Sequence, residues 1–245
     1  MAIIKMWLKR LIKSSYFLRV KYLRYAIRCT TEGRCHILAK PDKITERWEK
    51  ATLNDWDGLI TETNSPDYLF GDILRSLSSD SPIIDLGCGT GRTMNYLFEH
   101  GYKNLTGIDI SNAAFLIMSK QFPECYKQSK TYLGALPDIL RKFHDKSYDL
   151  VYARGLLVSI PPRDNNILDE MTRLSRKFIL LQSNEGSWDA FPRNLEKMME
   201  RLGWCMITYK IVIGINDTEV TLPAPYKKKY LFKSSTQRLF VERVL

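Results

Sequence analysis

Asp85, Gly87, Gly89, Gly91 and Asp109 are the residues whose types and spacing point most directly to chemistry. Asp85 follows the apolar pair Ile83-Ile84, and Leu86 separates it from three glycines at alternate positions. Glycine permits a tight turn and lets a ligand approach the backbone with no Cβ in the way. A helix-like segment, Thr93 to His100, comes next, and a new helix offers N–H groups that lack partners at its start. Strand, glycine loop and helix together make a nucleotide-binding device. A second apolar run, Leu105 to Ile108, ends in Asp109, 22 positions after Gly87. An acidic residue at about that distance hydrogen-bonds ribose hydroxyls in Rossmann-like folds. A carboxylate accepts from both hydroxyls, each bond contributing roughly 1.5–3 kcal/mol. The competing reading of Asp109 is a helix-start carboxylate before Ser111, stabilised by the helix dipole.

The dinucleotide fingerprint requires G-x-G-x-x-G. Here the third glycine comes one residue early, at Gly91, and Arg92 takes the fingerprint position. The stretch Ile83 to Arg92 resembles motif I of the class I S-adenosylmethionine (SAM)-dependent methyltransferases. That resemblance implies a loop wrapped around the methionine part and ribose edge of SAM, with Asp85, Gly87, Cys88, Gly89, Gly91, Asp109 and Ile110 as cofactor-binding residues. Three later segments fall in the order the family requires. The first is Leu105 to Ser111. The second, Tyr132 to Pro137, corresponds to the strand end that flanks adenine, with Ala135 and Leu136 in contact through their backbone. An acidic side chain is frequent there in the family, and Ala135 departs from it; an ordinary strand end is the other reading. The third, Ser147 to Pro162, resembles the fourth strand, with Asp149 structural at its start and Ala153 and Arg154 at its carboxyl end. Ligands bind at that edge of open α/β sheets. The histidine often found near Ser159 in the family is missing. The resemblance spans roughly residues 81–181 and implies an α/β fold, with a Rossmann-like seven-stranded, mostly parallel sheet flanked by helices.

For methyl transfer to a hydroxyl, a base helps remove the proton. Glu185 is the first candidate for that role and His36 the second. Arg154 is a candidate for orienting an anionic acceptor through bidentate pairing, or for an internal salt bridge. His100, beside Gly101 at a helix end, and His144, before a charged turn, read as exposed and structural. The D/N-P-P-Y/F/W signature of amino-group DNA methyltransferases is absent from the fourth strand, where Ala153-Arg154-Gly155-Leu156 stands, and no Pro-Cys nucleophile lies nearby.

The elements that must position these residues follow from the pattern around them. Residues 81–245 form the expected SAM-binding core. Within it a helix runs from Pro162 and Asp164 to about Leu174, a strand covers Phe178 to Leu181, and a helix spans Pro192 to Leu202 and stops at Gly203. Cys205 to Ile213 and Arg238 to Val244 alternate as the sixth and seventh strands. Residues 214–237, with Pro223, Pro225 and Tyr226-Lys227-Lys228-Lys229-Tyr230, form a long insertion facing substrate or solvent. Residues 32–80 read as a helical segment before the core, with Trp48 and Trp56 among its apolar residues.

The net charge of +10 is unevenly distributed. Residues 1–31 hold eight basic side chains and no acidic one; without them the chain has 29 basic residues against 27 acidic ones. Ile3, Ile4, Trp7, Leu8, Leu11 and Ile12 recur at helical spacing opposite Lys5, Lys9 and Lys13, which predicts a basic amphipathic helix. Such a helix suits an anionic membrane surface. It also suits packing on its own domain, a cleaved organelle transit peptide or contact with nucleic acid phosphates. Lys5, Lys9 and Arg10 interrupt the apolar core that a secretory signal needs. No run of 18 apolar residues is present. Five scattered cysteines argue against a disulfide framework and for a reducing compartment. Cys29, Cys35 and His36 lack a C-x-x-C pair, so no metal site is expected.

The leading expectation is a SAM-dependent methyltransferase that O-methylates a small molecule, a sugar or a lipid-linked glycan. Its expected place is the cytoplasm, peripheral at a membrane through residues 1–28, or an organelle if the N-terminus is a transit peptide. The alternatives are an RNA methyltransferase that uses the basic arm and Lys227 to Lys229, and a non-catalytic module that binds SAM or a partner.

Overall fold

The alternation of side chains along two central strands accounts for the layering. In β1 (Ile83–Leu86) and β4 (Tyr148–Arg154) every residue but the last of β4 is buried. Such runs belong to strands covered on both faces. Ile84, Leu86, Val151 and Ala153 point into one apolar cluster, and Ile83, Leu150 and Tyr152 into a second. The sheet therefore separates two cores, each closed by helices.

The structure, a computed structural model, describes residues 41–54, 73–157, 159–160, 166–183, 194–213, 218–220 and 234–242. The expected arm over 1–31, His36, Glu185 and Lys227 to Lys229 lie outside the described residues. In chain order the helices are α1 (Pro41–Leu53), α2 (Arg92–Glu99), α3 (Asn112–Gln121), α4 (Pro123–Gln128), α5 (Ile167–Leu174) and α6 (Leu195–Arg201). The remaining strands are β2 (Leu105–Asp109), β3 (Lys130–Leu133), β5 (Ser175–Ser183), β6 (Trp204–Ile213), β7 (Thr218–Val220) and β8 (Ser234–Glu242).

The sheet order is β3-β2-β1-β4-β5-β8-β6-β7. The first five strands pair in parallel, and β8, β6 and β7 add antiparallel ladders beyond β5. The expected class holds, but the strand count does not: among the described residues eight strands form the sheet instead of seven. The extra strand, β7, is a three-residue ladder against the end of β6, inside the stretch read from sequence as an insertion. Three residues are too few for a periodic signal, and their pairing partner supplies the pattern.

From β1 the chain passes through α2 to β2 and through α3 and α4 to β3, all on one side of β1. It then returns to β4 on the other side. Residues of α2, α3 and α4 close one core, with Met94, Leu97, Phe115, Met118 and Cys125 buried. Residues of α5 and α6 close the other around Trp204, which is 1% exposed. This reversal of direction sets a topological switch point between the carboxyl ends of β1 and β4, where open α/β sheets bind ligands. At the opposite edge Asp149 anchors β4: it accepts from Ser81 Oγ at 2.9 Å and pairs with Arg176 at 2.9 Å and Lys177 at 3.0 Å. It is structural, as the sequence implied.

Candidate cofactor and acceptor site

The glycine loop leaves β1 at the switch point and folds back onto β2. The N–H groups of Gly87 and Cys88 both donate to the Ile108 carbonyl, at 2.8 and 3.0 Å. The Gly91 N–H closes a tight turn onto the Cys88 carbonyl at 3.0 Å. Gly89 and Gly91 have φ values of 54° and 77°, a left-handed region that favours glycine. Their surroundings differ. A Cβ on Gly91 would fall 2.6 Å from Met118 Cγ of α3, whereas a Cβ on Gly89 would meet nothing within 4 Å. Gly91 is thus a packing glycine, and Gly89 borders open space.

Asp109 ends β2 and joins this loop to the next helix. Its Oδ2 accepts the Gly89 N–H at 2.8 Å and its Oδ1 accepts the Ser111 N–H at 2.9 Å. Burial holds its pKa above the ordinary carboxylate value, and the N–H groups of Ser111, Gly89 and Ile110 pull against that shift. A carboxylate has about four acceptor sites, and the backbone N–H groups do not use all of them, so the group remains able to accept from a ligand's hydroxyl.

Asp85 is treated differently. It is 3% exposed. Desolvation, with the charge of Asp109 added, pushes its pKa up to about 8, against the pull of the Arg154 guanidinium. Asp85 is therefore largely protonated at neutral pH. Arg154 is the last residue of β4, half-buried, in register with Gln182 of β5. The following turn packs on the glycine loop, since a Cβ on Gly87 would lie 3.0 Å from Leu156 Cδ1. Asp85, Gly87, Gly89, Asp109 and Arg154 thus share one edge of the sheet.

The other expected residues fall less uniformly. Ala135 is exposed and Leu136 half-buried after β3, whose last residue pairs in register with Asp109; the Gly134 N–H donates to the Asp109 carbonyl at 2.9 Å. Ile110 is half-buried beside Asp109. Ala153 is 1% exposed and its side chain packs in the α5–α6 core. The Cys88 thiol lies in the opposite core near Gly107 and Met94, and burial raises its pKa well above the usual value. Only the backbone of Cys88 belongs to the loop. His100 is exposed, with Nδ1 2.8 Å from the Tyr96 carbonyl, and His144 is exposed too. Among the described residues no group of three or more His, Cys, Asp or Glu side chains is placed to hold a metal ion.

One contributor was not singled out from sequence. Glu49 of α1 reaches the start of α3: Oε1 accepts the Asn112 N–H at 2.6 Å, and Oε2 accepts the Ala113 N–H at 3.0 Å and the Ser111 hydroxyl at 3.2 Å. Its partners lie more than 60 positions away in the chain, so no local pattern could have announced them.

The site's layout can be set beside known proteins. The family model described as "Methyltransferase domain" matches residues 83–177, from β1 into β5. Among solved structures, a SAM-dependent methyltransferase from Anabaena variabilis superposes with a TM-score of 0.58 at 14% identity, over 82% of this chain and 95% of its own. Magnesium protoporphyrin IX methyltransferase from Synechocystis, with bound S-adenosylhomocysteine (SAH), gives 0.53 at 13% identity over 97% and 99%. The cyclase SpnF gives 0.59 at 14% identity over 84% and 98%. Likeness at such identities establishes the fold, and the cyclase shows that this fold is not confined to one reaction. No curated protein matches the sequence. The family match and the glycine loop with its paired Asp109 converge on one identification: residues 83–177 are a class I methyltransferase domain, whose cofactor is S-adenosylmethionine.

Proposed function

We propose that the protein transfers the methyl group of SAM to a hydroxyl of a small molecule, a sugar or a lipid-linked glycan. The observation that carries the reading is the shared edge at the switch point. There a ribose-type carboxylate, Asp109, and an open glycine, Gly89, sit beside an arginine, Arg154, with no base-methylation signature around it.

The residues present fit the cofactor. The open space over Gly89 is what a Cβ would fill, and it leaves the loop backbone accessible. Asp109 would accept from the ribose hydroxyls, Ala135 and Leu136 would border the adenine through their backbone, and Gly87 and Gly91 shape the loop. Ile110 flanks the ribose, Cys88 contributes backbone alone, and Ala153 supports the floor from within the core. Asp85, a buried acid on the same edge, would be ionised by a cationic group of the cofactor held near it. When bound, SAM supplies a methyl group activated by a cationic sulfonium.

The remaining work of the chain is positioning and proton transfer. Holding a nucleophile about 3–3.5 Å from the methyl contributes roughly 7–11 kcal/mol when the two are well oriented. Arg154 orients an anionic group of the acceptor, and Glu185, in the segment after β5, takes the hydroxyl proton. The basic arm over 1–28 brings the protein to an anionic surface that carries the acceptor.

Calorimetric titration of SAM into the wild type and Asp109→Ala tests the cofactor part. Binding to the wild type that is lost in the variant supports it. A screen with radiolabelled SAM against glycans, lipid extracts and RNA then tests the acceptor; label in RNA alone would replace the hydroxyl reading by RNA methylation. A folded wild type that binds no SAM would overturn the proposal.

A further inference from the structure

Helix α1 lies outside the matched methyltransferase domain, yet it is joined to the cofactor site by one side chain. Among its described residues only Ala51 and Thr52 are buried, while Leu53 is 68% exposed. Ile44 and Trp48 are half-buried. The polar contacts are more specific. The Glu49 carboxylate takes the N–H groups of Asn112 and Ala113 and the hydroxyl of Ser111. These N–H groups are at the start of α3, where the helix supplies no carbonyl for them and its dipole favours a negative charge. Thr52 Oγ1 adds a contact to Ser111 Oγ at 3.4 Å.

Ser111 is the common element. Its hydroxyl caps α3 by accepting the Ala114 N–H at 3.2 Å, and its own N–H donates to Asp109 Oδ1. Asp109 in turn accepts from Gly89. A continuous hydrogen-bonded path thus runs from α1, through Ser111 and Asp109, to the open glycine of the loop. Loss of Glu49 would take the carboxylate acceptor from two N–H groups and leave the Ser111 hydroxyl only its contacts with Thr52 and Ala114, two bonds away from the ribose carboxylate. Charge-assisted bonds of this kind are about twice as strong as neutral ones.

We propose that Glu49 is a positioning residue of the cofactor site: through Ser111 it holds α1 on the segment that carries Asp109, so that docking of α1 and binding of the cofactor strengthen each other. The inference rests on the cofactor placement given above. Coupling of this kind is reciprocal: whatever affinity α1 docking adds for the cofactor, the cofactor adds for docking.

The test uses the full chain and SAH as the probe. Calorimetry gives the SAH affinity of the wild type, Glu49→Ala and Glu49→Gln, and hydrogen exchange follows residues 41–54 with and without SAH. The expected result is an SAH affinity about tenfold weaker in Glu49→Ala, partly restored in Glu49→Gln, whose amide oxygen still accepts an N–H. Exchange over 41–54 should slow on SAH addition in the wild type and much less in Glu49→Ala. A merely structural Glu49 would lower the melting temperature of the variants while leaving SAH affinity and ligand-dependent protection unchanged, and that result overturns the proposal. Should Glu49→Ala fail to fold, Glu49→Gln and the wild-type exchange decide alone. A folded wild type that does not bind SAH defeats the cofactor placement itself, which separates that failure from failure of Glu49.

Discussion

Asp85 and Asp109 lie on the same edge of the sheet, but only Asp109 is held by backbone N–H groups. Asp85 carries the desolvation penalty with Arg154 as its counterweight, and its pKa rises to about 8 from the ordinary 3.8. A carboxyl whose folded pKa is raised keeps its stabilising contribution below the unfolded pKa and loses it as pH climbs toward the folded one. Between about pH 4 and 8 the wild type without ligand should therefore lose up to ~1.4 kcal/mol per pH unit from this group. Asp85→Asn removes that slope. Urea unfolding at pH 5 and pH 8 should show the variant gaining on the wild type at the higher pH; parallel behaviour at both would mean that Asp85 already ionises in the unliganded protein. The glycines give a second contrast. Gly89→Ala should cost only the left-handed strain, about 1–2 kcal/mol, but should abolish SAM binding because its methyl fills the open side of the loop. Gly91→Ala adds overpacking against Met118, for a total of about 2–5 kcal/mol. Denaturant unfolding and SAM calorimetry on both variants would separate the two roles, and equal losses of binding per unit of stability would refute the distinction.

Elements meet through side chains that sequence periodicity does not reveal. Arg173 near the end of α5 donates to the Leu140 and Phe143 carbonyls at 2.9 and 2.8 Å, and pairs with Glu170 and Asp145, both at 2.6 Å. It thereby fastens α5 to the 3-10 turn Asp138–Lys142 and to the loop that enters β4. At 26% exposure the side chain is largely shielded from solvent. Arg173→Ala should destabilise the protein by on the order of 2 kcal/mol, with SAM affinity unchanged. Arg173→Lys should recover little, because an ammonium cannot reproduce the planar fork. A shift in SAM affinity would mean that the fastening reaches the site. The contrast with β1, β2 and β4 shows what the chain announces by itself. Those strands are largely apolar runs followed by glycine or closed by an acidic residue, and both the glycine loop and Asp109 were legible there because sequence neighbours define them. Arg173, Glu49 and β7 owe their roles to partners distant in sequence or, for β7, to a ladder of three residues. The Cys88 side chain was not legible for a related reason: a motif position fixes the backbone, whereas the direction of Cβ depends on how β2 and α2 pack behind it.

On the scale of the whole molecule, charge and chemistry are separated. Outside residues 1–31 the chain has 29 basic residues against 27 acidic ones, so the eight basic residues of the arm dominate its long-range field. No helix among the described residues is long and apolar enough to cross a membrane. Each Lys or Arg near an anionic leaflet adds about 1 kcal/mol, and the attraction fades as salt shortens the screening length. Replacing Lys5, Lys9 and Lys13 together by Glu removes three attractions and creates three repulsions. The full chain should sediment with vesicles rich in phosphatidylserine at low salt and be released as salt rises. The triple variant should partition at least on the order of 100-fold more weakly. Its SAH affinity should match the wild type, because the cofactor residues belong to the switch point and not to the arm. If vesicle binding persists in the triple variant, the apolar face of the arm or another surface carries it. If neither protein binds vesicles but the wild type alone binds RNA, with affinity falling steeply in salt, the arm serves a nucleic acid acceptor and the glycan reading of the substrate fails with it.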